Sequence, residues 1–397
     1  MDASNPPLSR AELVVDAEAI RGNVALLAAQ ARRSGAATMA VVKADGYGHG
    51  ASTAARAALA GGATWLGVRS QAEALALRAD GIIADILCWL HEADEDFTEA
   101  VRHGVTISVA AQATLQAVVR AARQLGTTAD IHLKIDTGLS RNGATRDDWP
   151  ALVAAAAEAE SAGQVSVDAV WSHLACADEP GHPSIDAQAE RFDAAYRVAC
   201  DAGLHPMRHL ANSAATLTRP DLHFDLVRPG IACYGLNPVP GHTEVRLRPA
   251  MTLRSRVALV KRVPAGEGVS YGLTWTAPRD TTLALVPVGY ADGMPRLLSG
   301  RMSVWLAGAR RPIAGRICMD QFVVDCGDDP VRPGDPVVLF GAGDHGEPTA
   351  TEWADAIGTI DYEIVTGLYR PRARRHVVDL PGESGPPEAA HNGGDRA

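Results

Sequence analysis

The chain has 397 residues, 47% hydrophobic and 21% charged, which is the composition of a globular protein large enough for two packed domains. A net charge of -10 removes the basic footprint that nucleic acid or an anionic lipid surface requires. The six cysteines, at 88, 176, 200, 233, 318 and 326, form no Cys-x-x-Cys pair and no disulfide scaffold. No apolar leader and no run of roughly eighteen apolar residues is present, so the expectation is a cytosolic small-molecule enzyme with reduced thiols.

Residues 1–9 read as a flexible, polar lead. Glu12-Leu13-Val14-Val15 reads as a short strand, and Asp16 caps a helix whose apolar positions Ala17, Ile20, Val24, Leu27 and Ala31 recur at helical steps until Gly35. The apolar run Ala40-Val41-Val42 then delivers Lys43 to a glycine-rich loop, Ala44-Asp45-Gly46-Tyr47-Gly48-His49-Gly50, where backbone can bend closely around a ligand. A partly desolvated lysine there has the low pKa of a Schiff-base nucleophile, the usual attachment for pyridoxal phosphate. The competing reading is a buried strand ending in a solvated lysine. A relaxed Gly-x-Gly-x-x-Ala dinucleotide fingerprint also fits Gly46, Gly48 and Ala51, but no acidic residue ends the next strand, Trp65-Leu66-Gly67-Val68.

Apolar runs at 38–45, 65–68, 85–90, 106–110, 130–136, 167–174, 207–212 and 226–231 alternate with capped helical stretches. Ser70-x-x-Glu73 reads as a capping box, Thr145 precedes an alanine-rich helix ended by Gly163, and Ser184 opens another ended by Gly203. Eight strands with crossovers predict an α/β fold, a (β/α)8 TIM-type barrel over 10–237, with an open doubly wound sheet as the competitor. A barrel puts its active groups at the C-terminal ends of its strands. Lys43, Arg141, His173, Asn212, Ser213, Arg228 and Gly230 all fall there. Past the linker Asn237-Pro238-Val239-Pro240-Gly241, β-branched runs at 251–263, 281–290, 302–306, 321–325 and 337–340 predict a β-rich C-terminal domain over 242–380. Its one expected helix is about 350–357, capped by Thr349-x-x-Glu352. Residues 381–397 read as a disordered tail.

Several segments carry a family resemblance: VVKADGYGHG around Lys43, His132–Arg141, Ser172–Asp178, Ala211–Ala215, Val227–Ile231 with Tyr234-Gly235, Val269–Gly272, Val288–Gly293 and Gly315–Gln321. In this order the chain resembles the bacterial alanine racemases from about residue 10 to 376. The resemblance implies that Lys43 carries pyridoxal phosphate as an aldimine. It implies that Tyr47, Ser213, Gly230, Ile231 and Tyr362 hold the phosphate, with Asn212 beside Ser213, that Arg228 faces the pyridine nitrogen and keeps it unprotonated, and that Arg141 bonds the phenolic oxygen. Lys43 and Tyr271 would be the two bases, Tyr271 reaching the site from a head-to-tail homodimer partner. His173 would orient Tyr271 or line the cofactor, and the backbone N–H of Met319 from that partner would receive the substrate carboxylate. Lys134 matches a lysine that some members carbamylate. The reaction implied is interconversion of L- and D-alanine, supplying D-alanine for peptidoglycan. Alternatives are a racemase for serine or another amino acid, and a non-catalytic pyridoxal phosphate carrier. For single residues, other readings stand beside these: Ser213 as a helix N-cap, Arg228 in a surface salt bridge, Tyr271 packed in a sheet.

Overall fold

The computed structural model describes residues 10–92, 94–368 and 374–378. The expected flexible lead, 1–9, and disordered tail, 381–397, lie outside these. Eight parallel strands form one sheet: β2 (Ala37–Val41), β3 (Trp65–Val68), β4 (Asp85–Cys88), β5 (Thr106–Val109), β6 (Ala129–Lys134), β7 (Val165–Trp171), β8 (Met207–His209) and β9 (Leu226–Val227). Their order is β8-β7-β6-β5-β4-β3-β2-β9, and backbone bonds from Asp225 N to Arg208 O (3.0 Å) and Arg228 N to Ala211 O (2.9 Å) join β9 back to β8. The sheet is therefore a closed barrel. Leu66, Ile86, Ile107, Ile131 and Val170 are fully buried, as doubly covered strands require.

The helix after Asp16 runs Ala17–Arg33, and every position its periodicity marked as apolar is buried. Asp16 Oδ1 accepts the Ala19 N–H at 2.9 Å, so the cap is where the sequence put it. Asn23 of this helix ties the linker down. Its amide donates to the carbonyl oxygens of Cys233 (3.2 Å) and Arg248 (2.8 Å), and its carbonyl accepts Arg248 N at 2.8 Å.

The first strand, β1 (Glu12–Asp16), does not join the barrel with which the sequence grouped it. It pairs antiparallel with β10 (Met251–Arg256) and parallel with Arg374–Val378, inside a six-stranded sheet completed by Pro336–Phe340, Ser303–Leu306 and Ala309–Pro312. A strand as short as β1 carries no mark of which sheet will accept its hydrogen bonds. A second sheet joins Leu259–Val263, Thr281–Val286 and Phe322–Gly327, and Gly268–Val269 with Trp275–Thr276 makes a two-stranded ribbon. The expected helix is Ala350–Ile357, with its capping box formed, but a second helix, Asp361–Gly367, follows it and carries Tyr362.

A candidate active site at the barrel mouth

β2 ends at Val41, four residues short of the expected run 38–45, and the chain turns into a left-handed path at Ala44 (φ 51°), Asp45 (φ 53°), Gly46 and Tyr47 (φ 53°). Left-handed backbone costs about 1–2 kcal/mol for each non-glycine residue, so the turn must be held from outside. Asp45 does part of this: Oδ1 accepts the Ala51 N–H at 2.8 Å, and Oδ2 pairs with Arg375 on the strand beside β1. Lys43 stands at the start of this turn and lines a cavity of about 490 Å³ at the C-terminal ends of the barrel strands.

That cavity is lined by Lys43, Arg69, Lys134, Arg141 and Arg228, with no carboxylate among its lining residues. Burial pushes the Lys43 amine below the usual lysine range, and Arg141 and Arg69 push it the same way. Lys134 packs its ammonium 4.1 Å from the centre of the Trp171 ring and is brought down to about 7 by burial, with Arg228 and Arg141 adding repulsion. A pocket of cations in a chain of net negative charge selects an anionic ligand.

Arg228 is buried and has no carboxylate partner among the described residues, so it forms no surface salt bridge. Nη1 donates to His209 Nδ1 at 3.0 Å, and Nη2 donates to Ser172 O (2.8 Å), Leu210 O (3.2 Å) and His173 Nδ1 (3.4 Å). Burial lowers Arg228 to about 9. Because a guanidinium only donates, His209 Nδ1 must accept, and its Nε2–H must donate to His132 Nδ1 at 3.0 Å. Both imidazoles are fully buried and held neutral, chiefly by desolvation.

Ser213 is no helix cap. Asn212 takes that role by accepting the Ala215 N–H at 3.1 Å, which frees Ser213 Oγ to accept the N–H groups of Gly230 (2.8 Å) and Ala232 (3.3 Å). The Ser213 hydroxyl hydrogen remains to donate, while the Gly230 N–H, expected to face a ligand, is already engaged. Gly230 has no room for a side chain, since a Cβ there would lie 2.5 Å from Tyr47 Oη. Tyr47 is buried, with its ring centre 6.0 Å from that of Tyr362, and burial raises both phenols, Tyr362 to about 12. Asn212, Ser213, Gly230, Ile231, Tyr47, Tyr362, His173 and Arg141 all line the cavity with Lys43. Arg141 gets there because Asp136 Oδ1 accepts the N–H groups of Gly138 (2.8 Å) and Ser140 (3.1 Å), folding the loop after β6 back on itself.

Tyr271 and Met319 are not in the cavity of their own chain. Tyr271 is 70% exposed at the tip of the ribbon between Val269 and Trp275, outside any strand, and Met319 is 52% exposed. They belong to adjoining loops, since Ser270 Oγ donates to Arg316 O at 2.6 Å. Sequence reasoning missed Arg69, Trp89, Asn142 and Trp171, which also line the cavity. Arg69 directly follows β3, but no glycine-rich loop comes after it to set it apart from a surface arginine.

The alanine racemase N-terminal domain family matches residues 15–238, and the alanine racemase C-terminal domain family matches 250–377. An alanine racemase of Thermobifida fusca is 58% identical over 363 residues, 91% of this chain and 96% of that one, and one of Salinispora arenicola is 58% identical over 92% and 98%. Among solved structures, the alanine racemase of the D-cycloserine producer Streptomyces lavendulae superposes with a TM-score of 0.91 at 51% identity, covering 95% of this chain and 98% of that chain. That of Streptomyces coelicolor gives 0.90 at 53%, covering 94% and 98%. Family match, fold and the cationic pocket at the barrel mouth agree: this chain belongs to the alanine racemase family.

Proposed function

We propose that the chain interconverts L- and D-alanine with pyridoxal phosphate as cofactor, and so supplies D-alanine for peptidoglycan. The observation that carries this is the desolvated Lys43 amine in a cavity lined by cations, with buried Arg228 facing in and Gly230 too close to Tyr47 to carry a side chain. These residues fit a group bearing an aldehyde, a phosphate and a phenolate. Lys43 would bind its aldehyde carbon, and Ser213, Tyr47 and Tyr362 its phosphate beside Asn212, Gly230 and Ile231. Arg141 would bond the phenolic oxygen and Arg228 the ring nitrogen. When bound, the cofactor acidifies the substrate Cα–H by delocalising the electrons left behind.

Inversion at Cα needs proton acceptors and donors on both faces. Lys43 serves one face, its amine held below the usual lysine range by burial and by Arg141 and Arg69. Tyr271 of a second copy serves the other, and the N–H of Met319 there receives the substrate carboxylate. The exposure of Tyr271 and Met319 on adjoining loops supports a head-to-tail homodimer with shared sites. His173, bonded to Arg228, would orient that partner phenol or line the cofactor. Arg228, already donating to His209 and two carbonyl oxygens, would offer the ring nitrogen a hydrogen bond and no negative charge, and so would keep that nitrogen unprotonated and the cofactor a weaker electron sink. Residues 10–237 bear the cofactor and 242–380 the second base, with β1 lending its hydrogen bonds to the latter. The cytosol is the proposed compartment, supported by six free cysteines; no described helix is long and apolar enough to cross a membrane.

The test is incubation with L-alanine, L-serine and L-lysine in deuterated water, following deuterium at Cα, with borohydride reduction and peptide mapping alongside. Exchange fastest with alanine and a label on Lys43 are expected. Faster exchange with serine would replace the substrate, and absence of exchange with all three would leave a carrier.

A further inference from the structure

Ser70 caps the helix Gln71–Ala79, accepting the Glu73 N–H at 3.4 Å, but the Glu73 carboxylate does not return to Ser70 as a capping box would have it. It reaches past the helix to two loops. Oε1 accepts the Ala44 N–H at 2.9 Å and Oε2 accepts the Arg69 N–H at 2.7 Å. Ala44 opens the left-handed turn directly after Lys43, and Arg69 is the first residue after β3. One carboxylate thus bridges the exits of two neighbouring barrel strands where the catalytic amine emerges. The other carboxylate on the turn, Asp45, grips its far side, through Ala51 and Arg375.

From this we infer that Glu73 is a positioning residue for Lys43: it fixes where the amine stands by holding the strained turn at its first residue. The inference rests on the reading of Lys43 as the cofactor lysine. Glu73 does not line the cavity and touches no reacting group. A charge effect accompanies the clamp. Arg141 and Arg69 disfavour a proton on Lys43, and Glu73 is the neighbour that favours one. Misplacing a reacting group by about an ångström costs up to ~10²-fold in rate, so a loosened turn has a measurable signature.

The experiment uses full-length holoenzyme carrying Glu73→Ala or Glu73→Gln, neither of which disfavours a helix. Amide hydrogen exchange at Ala44 and Arg69 reports the clamp. Cα deuterium exchange with retention, measured separately for each alanine enantiomer, reports the amine. The enantiomer that still exchanges in Tyr271→Phe is the one Lys43 serves. In Glu73→Ala both amides should exchange at least about tenfold faster with the thermal midpoint little changed. Exchange on the Lys43 face should fall roughly 10- to 100-fold, and on the Tyr271 face by less than about twofold. Glu73→Gln keeps one acceptor oxygen and should lie between. Unchanged amide protection overturns the clamp, and equal slowing on both faces overturns positioning in favour of general loosening. Borohydride labelling of a lysine other than Lys43 in the unsubstituted enzyme defeats the underlying reading, while the amide result still reports the clamp by itself.

Discussion

The Lys43 amine is held below the usual lysine range by its surroundings, burial and two arginines, at the start of a left-handed turn, and the proposed function makes it the cofactor lysine. Lys43→Ala should therefore abolish imine absorbance and borohydride trapping while leaving circular dichroism unchanged; trapping at another lysine would contradict it. Ser213 and Asn212 divide their work in a way that a substitution pair separates. Ser213→Ala leaves two buried N–H groups, those of Gly230 and Ala232, without their acceptor and should cost about 1–3 kcal/mol in urea unfolding. Asn212→Ala loses only a helix cap, about 1 kcal/mol, and should retain cofactor better in dialysis. The sequence exposed Lys43 because a lone cation ended an apolar run. It left Ser213 between a phosphate donor and a helix cap because Asn and Ser are equally good caps, and only the approach of Gly230 excludes the cap. Arg69 and Trp171 stayed hidden, since an arginine or tryptophan at a strand end looks like any surface or core residue until the barrel closes.

Strand endings set the geometry at the cavity floor. Gly230 after β9 lies so near Tyr47, in the turn after β2, that Gly230→Ala should weaken cofactor retention, and Tyr47→Phe in the same chain should partly restore its packing. Additive losses in calorimetry would show that the two positions do not meet. On β7, Asp168 lies among Asp130, Asp85 and Glu160, and burial is the main reason its carboxyl is pushed up to about 6. The folded value exceeds the ordinary aspartate value of about 4. The stability contributed by its protonated form is therefore complete below that value and lost as pH rises through 6. Asp168→Asn, whose amide oxygen can still accept from Ser166, should raise the urea midpoint at pH 8 and leave it unchanged near pH 4. The barrel strands were legible because doubly covered strands are continuous apolar runs. β1 was read as a strand with no sheet assigned to it, and the strands Ala309–Pro312 and Arg374–Val378, rich in arginine, carried no apolar run at all.

On the chain as a whole, the β-rich domain leaves Tyr271, Leu273 and Met319 exposed at 70%, 64% and 52%. Apolar side chains exposed together mark an interaction surface. Leu273→Asp should give a monomer in sedimentation that still binds cofactor but does not racemise; an active monomer would confine the chemistry to one chain. Domain order and the barrel were readable from one sequence, whereas a site completed by another copy is not, because no pattern within a chain states which surfaces meet. Mixing two inactive proteins tests the shared site most directly. Lys43→Ala and Tyr271→Phe chains, unfolded together and refolded, form mixed dimers in which one site holds an intact Lys43 and an intact partner Tyr271. Racemase activity should return to about one quarter of the unsubstituted level. A mixture as inactive as its components would show that both groups act within one chain and would contradict the account.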